Sequence, residues 1–368
     1  MKTKSAVLYN YGEDLIIEEL ELDPPKEHEV LVKNIASGLC HTDLSVMNGT
    51  IRMPPLPCIP GHEGAGIVQK VGPGVTDLKP GDHVLLVWVP ICGKCYYCSH
   101  GQPYLCAEKD KTRSGTMLDG TRRLRKGNQY LNLMLGVGCF SEYNVVNENS
   151  VVKIDPEVSL ELAAIVGCGV ITGVGAVINK AKVKPGSTVS IVGVGGVGLN
   201  VIQGAMLAGA EKIIAVDISA AKLEIAKKFG ATHFVNASKE DPVEAVMRIT
   251  NNIGSDYAFE VIGNQATTLT TYRLIRRGGT AVIVGIPKME ATLTVPIYEI
   301  PLMEKNIVGC NYGSGDVRVD LLKLLDLYKE GRINLEQLIT KRYCLEEINQ
   351  GFRDMEAGKN IRGVINYL

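Results

Sequence analysis

The stretch "SIVGVGGVG", residues 190–198, decides how this chain folds. Gly193, Gly195 and Gly198 stand in G-x-G-x-x-G spacing, which alone means little in a chain with 40 glycines. Its setting carries the weight. The run "STVSIVG" reads as a short apolar strand, and a helix pattern opens from Val197. Strand, glycine turn and helix in that order are the context a dinucleotide-binding loop requires. Gly193 permits the tight turn, Gly195 the close approach of a pyrophosphate, and Gly198 the packing of helix on strand. Gly196 and Val197 complete the loop at the helix start, where free N–H groups and the dipole end favour phosphate. Asp217 follows nineteen residues after Gly198, closing the next strand, "KIIAVD". A carboxylate there accepts from both ribose hydroxyls and repels a 2′-phosphate, which predicts NAD over NADP.

Working outward, residues from about 185 alternate between apolar strands and helices: "SAAKLEIAKKFG", "HFVNA", a helix near 242–250, "SDYAFEVIG", a helix near 266–276, then "TAVIVG". Such alternation predicts an α/β unit, a doubly wound parallel sheet of Rossmann type. Residues 1 to about 170 read differently, as short strands broken by Pro and Gly, the pattern of an antiparallel β region. After "NIVGCNYG" come two amphipathic helices, near 317–330 and 345–357, and a final strand, "GVINYL". The expected division is a nucleotide domain, 170–312, inserted in a β-rich domain of 1–169 plus 313–368.

Composition narrows the partners. The chain has 368 residues, 45% apolar and 21% charged, with a formal net charge of -1. That balance gives no reason to expect nucleic acid or an acidic membrane surface. No apolar run reaches the length of a membrane span, and "MKTKSAVLYN" lacks the apolar core of an export signal. A cytoplasmic protein is expected. Ten cysteines in a reducing compartment point to metal ligands before disulfides.

Four of those cysteines lie in "CGKCYYCSHGQPYLC", residues 92–106. Cys92, Cys95, Cys98 and Cys106 are enough thiolates to close a zinc tetrahedron with no open position, which makes such a site structural. Thioredoxin-like chemistry needs one C-x-x-C at a helix start, not overlapping ones, and an iron–sulfur cluster is the remaining alternative. His100, inside the loop, reads as a surface residue. Cys40 in "GLCHTD", His62 and Glu63 in "GHEGAG", and Cys168 in "GCGV" are dispersed. Taken singly, these read as buried thiols and a core histidine.

The motifs together resemble the zinc-dependent medium-chain alcohol dehydrogenases over nearly the whole chain. "CHTD", "GHEGAGIV", the four-cysteine lobe, "GCGVITGVGAV", "GVGGVG" and "VD" occur in that family's order and approximate spacing. The resemblance implies a GroES-like catalytic domain holding the inserted nucleotide domain. It implies one catalytic zinc on Cys40, His62 and Cys168 and one structural zinc on the 92–106 lobe. Glu63 matches the acid that approaches the metal during ligand exchange, and Asp43 the carboxylate that orients the ligand histidine. The implied reaction is reversible hydride transfer between an uncharged primary or secondary alcohol and NAD, with zinc stabilising the alkoxide. Thr42 matches the hydroxyl that takes the alcohol proton. His41 and Arg362 match residues near the cofactor pyrophosphate. Val197 and Thr172 match neighbours of the nicotinamide, and Lys222 a neighbour of the adenosine ribose. Ile51, Trp88, Phe140 and Ile286 fall at pocket-lining positions.

Departures from the pattern sharpen the expectation. Ser45 stands where well-known dimeric members have a His that ends the proton relay. Ile51 and Asp110 stand where glutathione-dependent formaldehyde dehydrogenases carry an acid and an Arg, which disfavours that activity, the main alternative. A non-enzymatic zinc- and nucleotide-binding protein on the same fold is the rival from another class, and the intact ligand set argues against it. The segment 110–135 matches an insertion of dimeric members, so a homodimer is expected. Its basic run "TRRLRKG" reads as a solvated loop, and "NIVGCNYG" as the strand that pairs across a two-fold axis.

Overall fold

The computed structural model describes residues 1–367, which divide into two compact units. One comprises Met1–Cys168 with Leu321–Leu368, the other Gly169–Asp320. The second boundary falls later than the sequence suggests. Asn179 explains the shift: its Nδ2 donates to the Gly313 carbonyl (3.1 Å) and to Asp320 Oδ2 (2.8 Å), tying that segment to the nucleotide unit.

In the first unit, a seven-stranded sheet runs Val151–Lys153, His83–Leu86, Gly64–Val71, Glu29–Gly38, Arg362–Asn366, Ile339–Tyr343, with Tyr143–Asn147 also paired to Glu29–Gly38. The long strand Glu29–Gly38 organises it. Its far end pairs antiparallel with the returning C-terminal strand, Val364 opposite Gly38, so the tail contributes a strand to this unit. Buried Val and Leu residues on these strands, such as Val30, Val32, Val68, Val84 and Leu86, form one core cluster.

A second sheet joins Lys2–Val7, Ile16–Leu22, Leu124–Lys126 and Gln129–Tyr130. Its last two strands come from the 110–135 segment, whose basic run is not a solvated loop. Arg123 is 1% exposed and binds Glu29 through Nε (2.7 Å) and Nη2, with Asp119 accepting at 2.9 Å. Arg125 pairs with Glu21 and Asp23, and Lys126 with Glu18. Three acids on the N-terminal hairpin thus neutralise cations that the sequence alone leaves in water.

The second unit is a six-stranded parallel sheet in the order His233–Asn236, Lys212–Asp217, Thr188–Val192, Ser255–Glu260, Ile275–Ile283, Asn306–Gly309. Strand order reverses between Thr188–Val192 and Ser255–Glu260, which opens a crevice at their carboxyl ends. The connecting helices fall where the apolar periodicity places them: Gly196–Leu207, Ala220–Lys228, Pro242–Ile249 and Gln265–Leu274.

One long helical segment escapes the sequence reading. Leu160–Ile165 is α-helical, Val166–Val170 a π turn, Ile171–Gly175 α-helical and Ala176–Ala181 a second π turn. By length and composition Leu160–Ala181 could cross a membrane, but 78% of its most apolar stretch is buried inside the protein. It is a core helix.

Candidate metal and cofactor centre

Cys40 ends the long strand's run and caps the helix His41–Met47. Asp43, three residues on, folds back so that its Oδ2 accepts the Cys40 N–H (3.1 Å). The other oxygen, Oδ1, accepts the Gly61 N–H (3.1 Å) and the ring N–H of His62 at Nδ1 (2.8 Å). One fully buried carboxylate therefore fixes both loops and commits His62 to presenting Nε2. Gly61 is the position where only glycine serves: φ is 95°, and a Cβ would lie 2.7 Å from the Phe140 nitrogen. Cys168 reaches the same place from the π turn, a local re-aiming of the helix seen often at functional sites.

Ligand atoms of Cys40, His62, Glu63 and Cys168 all lie within 4.8 Å of one another. Cys40 is held well below the usual thiol range by its hydrogen bond with Cys168 and by the neighbouring His62, against its burial. Cys168 is pushed well up by that shared bond and by burial. Burial alone would lower the His62 pKa, but the Asp43 carboxylate and Cys40 raise it well above the ordinary value. Burial pushes Glu63 up to about 7, opposed by the guanidinium of Arg362. Glu63 Oε1 is buried without a hydrogen-bond partner. Soft thiolate, imidazole and an unsatisfied carboxylate oxygen together fit zinc, with three strong ligands and a position left over.

Arg362, expected at a cofactor phosphate, is buried here and its Nη2 donates to Glu63 Oε2. The returning strand Arg362–Asn366 delivers it, and Gly38 leaves it room beside Glu63. Its engagement with Glu63 brings it beside the metal-ligand set. Phe140, expected as a pocket wall, has no exposed surface. It packs edge-on to Phe352 (5.9 Å between ring centres) within a core cluster of that unit, beneath the Gly61 turn. Trp88 and Ile51 are half-buried at that cluster's margin. Thr42 is half-buried on the first turn of its helix, and His41 is exposed.

The second set, Cys92, Cys95, Cys98 and Cys106, also lies within 4.8 Å. Backbone N–H groups already aim at its sulfurs: Cys95 N to Cys92 Sγ (3.4 Å), Cys92 N to Cys106 Sγ (3.5 Å), Ala107 N to Cys95 Sγ (3.5 Å). The Ala107 N–H leads the effects that bring Cys95 down to about 6. His100 stacks on Tyr96 (4.2 Å) and bonds its carbonyl, apart from the sulfurs. None of the cysteines among the described residues is disulfide-bonded.

In the nucleotide unit, Gly193 has φ 99° and a Cβ there would meet Ile262 Cγ1 at 2.5 Å, whereas Gly195 faces open space. A Cβ on Gly198 would overlap the Gly193 carbonyl. Gly196 and Val197 open the helix Gly196–Leu207, and Val197 is half-buried. Asp217 is already engaged: Oδ2 accepts the Val194 N–H (2.9 Å) and Oδ1 the Ser219 N–H (2.9 Å). It pins the glycine loop to the neighbouring strand while each oxygen keeps acceptor capacity for a ribose. Lys222 is half-buried one turn beyond, Thr172 is half-buried on Ile171–Gly175, and Ile286 is exposed past the strand Ile275–Ile283. Two apolar side chains escape the sequence reading. Ile218 (72% exposed) and Ile262 (51% exposed) flank Asp217 and Gly193, where a flat base would find cover. Their signal is faint: apolar residues directly after strand ends.

Comparison with known proteins agrees with this geometry. Residues 26–156 match the family model "Alcohol dehydrogenase GroES-like domain" and residues 196–330 the model "Zinc-binding dehydrogenase". This chain belongs to the zinc-dependent medium-chain alcohol dehydrogenase family. It is 43% identical to an NDMA-dependent alcohol dehydrogenase of Amycolatopsis methanolica, over 99% of both chains. It is 41% identical to alcohol dehydrogenase B of Mycobacterium tuberculosis, over 100% of this chain and 99% of that one. Among solved structures, benzyl alcohol dehydrogenase from Acinetobacter calcoaceticus superposes with a TM-score of 0.94 at 36% identity, covering 100% of both chains. A zinc-binding-domain alcohol dehydrogenase from Burkholderia ambifaria gives 0.95 at 35%, over 100% and 99%. The protein is a zinc alcohol dehydrogenase, an oxidoreductase acting on small-molecule alcohols, and its cluster of Cys92, Cys95, Cys98 and Cys106 fits the structural zinc lobe of that family.

Proposed function

We propose that this dehydrogenase oxidises an uncharged primary or secondary alcohol with NAD, reversibly, at the Cys40–His62–Cys168 centre. The observation that carries the nucleotide reading is Asp217, anchored by two backbone N–H groups at the end of the second strand with acceptor capacity left over. Cys40, His62 and Cys168 would hold a zinc ion, which would supply Lewis-acid chemistry that lowers the pKa of an alcohol hydroxyl. Thr42 receives the hydroxyl proton at its Oγ and passes it on to solvent, since Ser45 offers no imidazole to end the relay. A bound nicotinamide would supply the hydride acceptor for the carbinol hydrogen, and Val197, Thr172 and Ile286 would form its surroundings. Asp43 keeps His62 in the ligating tautomer, and Glu63 stands ready to take a ligand position through its unpaired Oε1. Trp88 and Ile51 make the pocket apolar, which favours an aliphatic, allylic or aromatic alcohol. The benzyl alcohol dehydrogenase of similar structure supports the aromatic option.

A second reading has its own support. The relative named as NDMA-dependent favours a nucleotide that stays bound and is reoxidised by an added acceptor. One assay separates the two. With a panel of alcohols, release of NADH in proportion to substrate supports exchangeable NAD, whereas turnover only with NDMA supports the retained nucleotide. A kcat/KM preference for NADP would sink both.

The same proposal includes a homodimer in the cytoplasm. The strand Asn306–Gly309 is the open edge of the parallel sheet, and Met289, Ile297 and Leu302 nearby are exposed. A second copy pairing along that edge would satisfy its backbone and cover this surface. Monomeric mass by light scattering at micromolar concentration would contradict it.

A further inference from the structure

Glu260 closes the strand Ser255–Glu260 at the point where strand order reverses, in register with Val192 on one side and Ile283 on the other. Its side chain is fully buried. Oε1 accepts three donors: the Ile262 N–H (2.9 Å), the Gly263 N–H (2.8 Å) and the Thr267 hydroxyl (2.7 Å). Its carbonyl accepts the N–H groups of Val284 (2.9 Å) and Gly285 (3.0 Å), and Val261 N–H donates to the Val192 carbonyl (3.1 Å). The turn so held touches both lips of the crevice. A Cβ on Gly193 would strike Ile262, and one on Gly263 would lie 2.6 Å from the Ile286 carbonyl. Oε2 remains buried without a partner, with Gly285 leaving it space: a Cβ there would come within 2.6 Å.

An unpaired buried carboxylate oxygen is costly, so burial by itself would favour an amide or an apolar side chain here. Three donors on one oxygen exceed the two lone pairs of an amide carbonyl, and a charged acceptor binds them more strongly. We infer that Glu260 is a positioning residue: its carboxylate clamps the 261–263 turn against the glycine loop and the 284–286 segment, and so sets the width of the nucleotide crevice. This rests on the proposed NAD reading.

The test uses the full zinc-loaded chain. Glu260→Ala should speed amide exchange at residues 261–263 and weaken NADH binding by about tenfold, the scale of one lost charge-assisted hydrogen bond. The KM for NAD should rise more than kcat falls, with zinc content unchanged. Glu260→Gln keeps the shape and one acceptor, and should sit between the two, near threefold by the same scale. If the alanine variant folds poorly, Thr267→Val removes a single donor and should weaken NADH binding by about two- to threefold. NADH affinity in Glu260→Ala equal to wild type would overturn the inference, as would a lower kcat at unchanged KM. A wild-type chain that binds no NADH would instead overturn the NAD reading, while exchange at 261–263 would still judge the clamp.

Discussion

Asp43→Asn should empty one zinc site and spare the other. The carboxylate takes three buried donors, from Cys40, Gly61 and the His62 ring. An asparagine keeps one acceptor oxygen. If that oxygen stays with Gly61 and His62, the new NH2 confronts the Cys40 N–H; if the amide flips, it confronts the imidazole N–H. The first arrangement strands one donor and the second two, the Gly61 N–H with the imidazole, and in both the imidazole loses a charged acceptor, a loss of about 1.5–3 kcal/mol. Outer-shell partners of ligating histidines are worth roughly 10–100-fold in metal affinity, or ~1.4–2.7 kcal/mol, which agrees. The assay is zinc per chain after equilibration with chelators of graded strength. Wild type should keep two zincs under mild chelation. Asp43→Asn should keep the Cys92 set loaded while the Cys40 set empties at about 10–100-fold weaker chelation. Chelation curves identical to wild type, or loss from the Cys92 set first, would refute the reasoning.

Cys95→Ser should do the reverse, losing the zinc of the 92–106 lobe and opening that loop to limited proteolysis while the Cys40 set stays loaded. Arg123→Met strands Glu29 in the core and should destabilise the first unit by about 3–5 kcal/mol in urea unfolding. Adding Glu29→Gln, which removes the orphaned charge, should recover most of that, and a double variant no better than the single one would contradict the buried pair. Asp354 is held down to about 2 by its hydrogen bonds from Lys341 and Tyr343. A depressed carboxyl contributes stability above its unfolded value of 3.8 and loses it as pH falls towards 2. The melting-temperature gap between wild type and Asp354→Asn should therefore be present at pH 7 and close between about pH 4 and 2; a gap independent of pH would count against this.

What the sequence reveals depends on how local each determinant is. The strand–glycine–helix run at 190–198 and the acid at Asp217 are legible because turn chemistry and periodicity lie within a few residues of each other. The helix at 160–181 is not. Its Gly167, Gly169, Gly173 and Gly175 and its β-branched residues disfavour helix intrinsically, and burial overrides that preference. Missing the helix also hides the π turn that aims Cys168. Arg362, Arg123 and Phe140 share another cause. Sequence gives the charge or ring but not the partner, and each is settled by a segment far along the chain: Glu63, Glu29 and Phe352.

The two cysteine clusters differ in how their surroundings support them. In the 92–106 lobe, sulfur charge is met by N–H groups of the same loop, and four thiolates fill a tetrahedron. Such a site can close on its own segment and has nowhere to admit a substrate. The Cys40 set is supported instead by side chains from other parts of the unit: Asp43 binds two loops, and Glu63 is held by Arg362. Arg362 arrives only when the C-terminal strand pairs with the end of Glu29–Gly38. Its metal position is thus assembled by the finished sheet, with one carboxylate oxygen left unpaired beside it. An unsatisfied acceptor beside three ligating side chains is a poor device for stability but a suitable one for exchanging ligands. That asymmetry supports the proposal that the dispersed set carries the chemistry and the compact one the bracing.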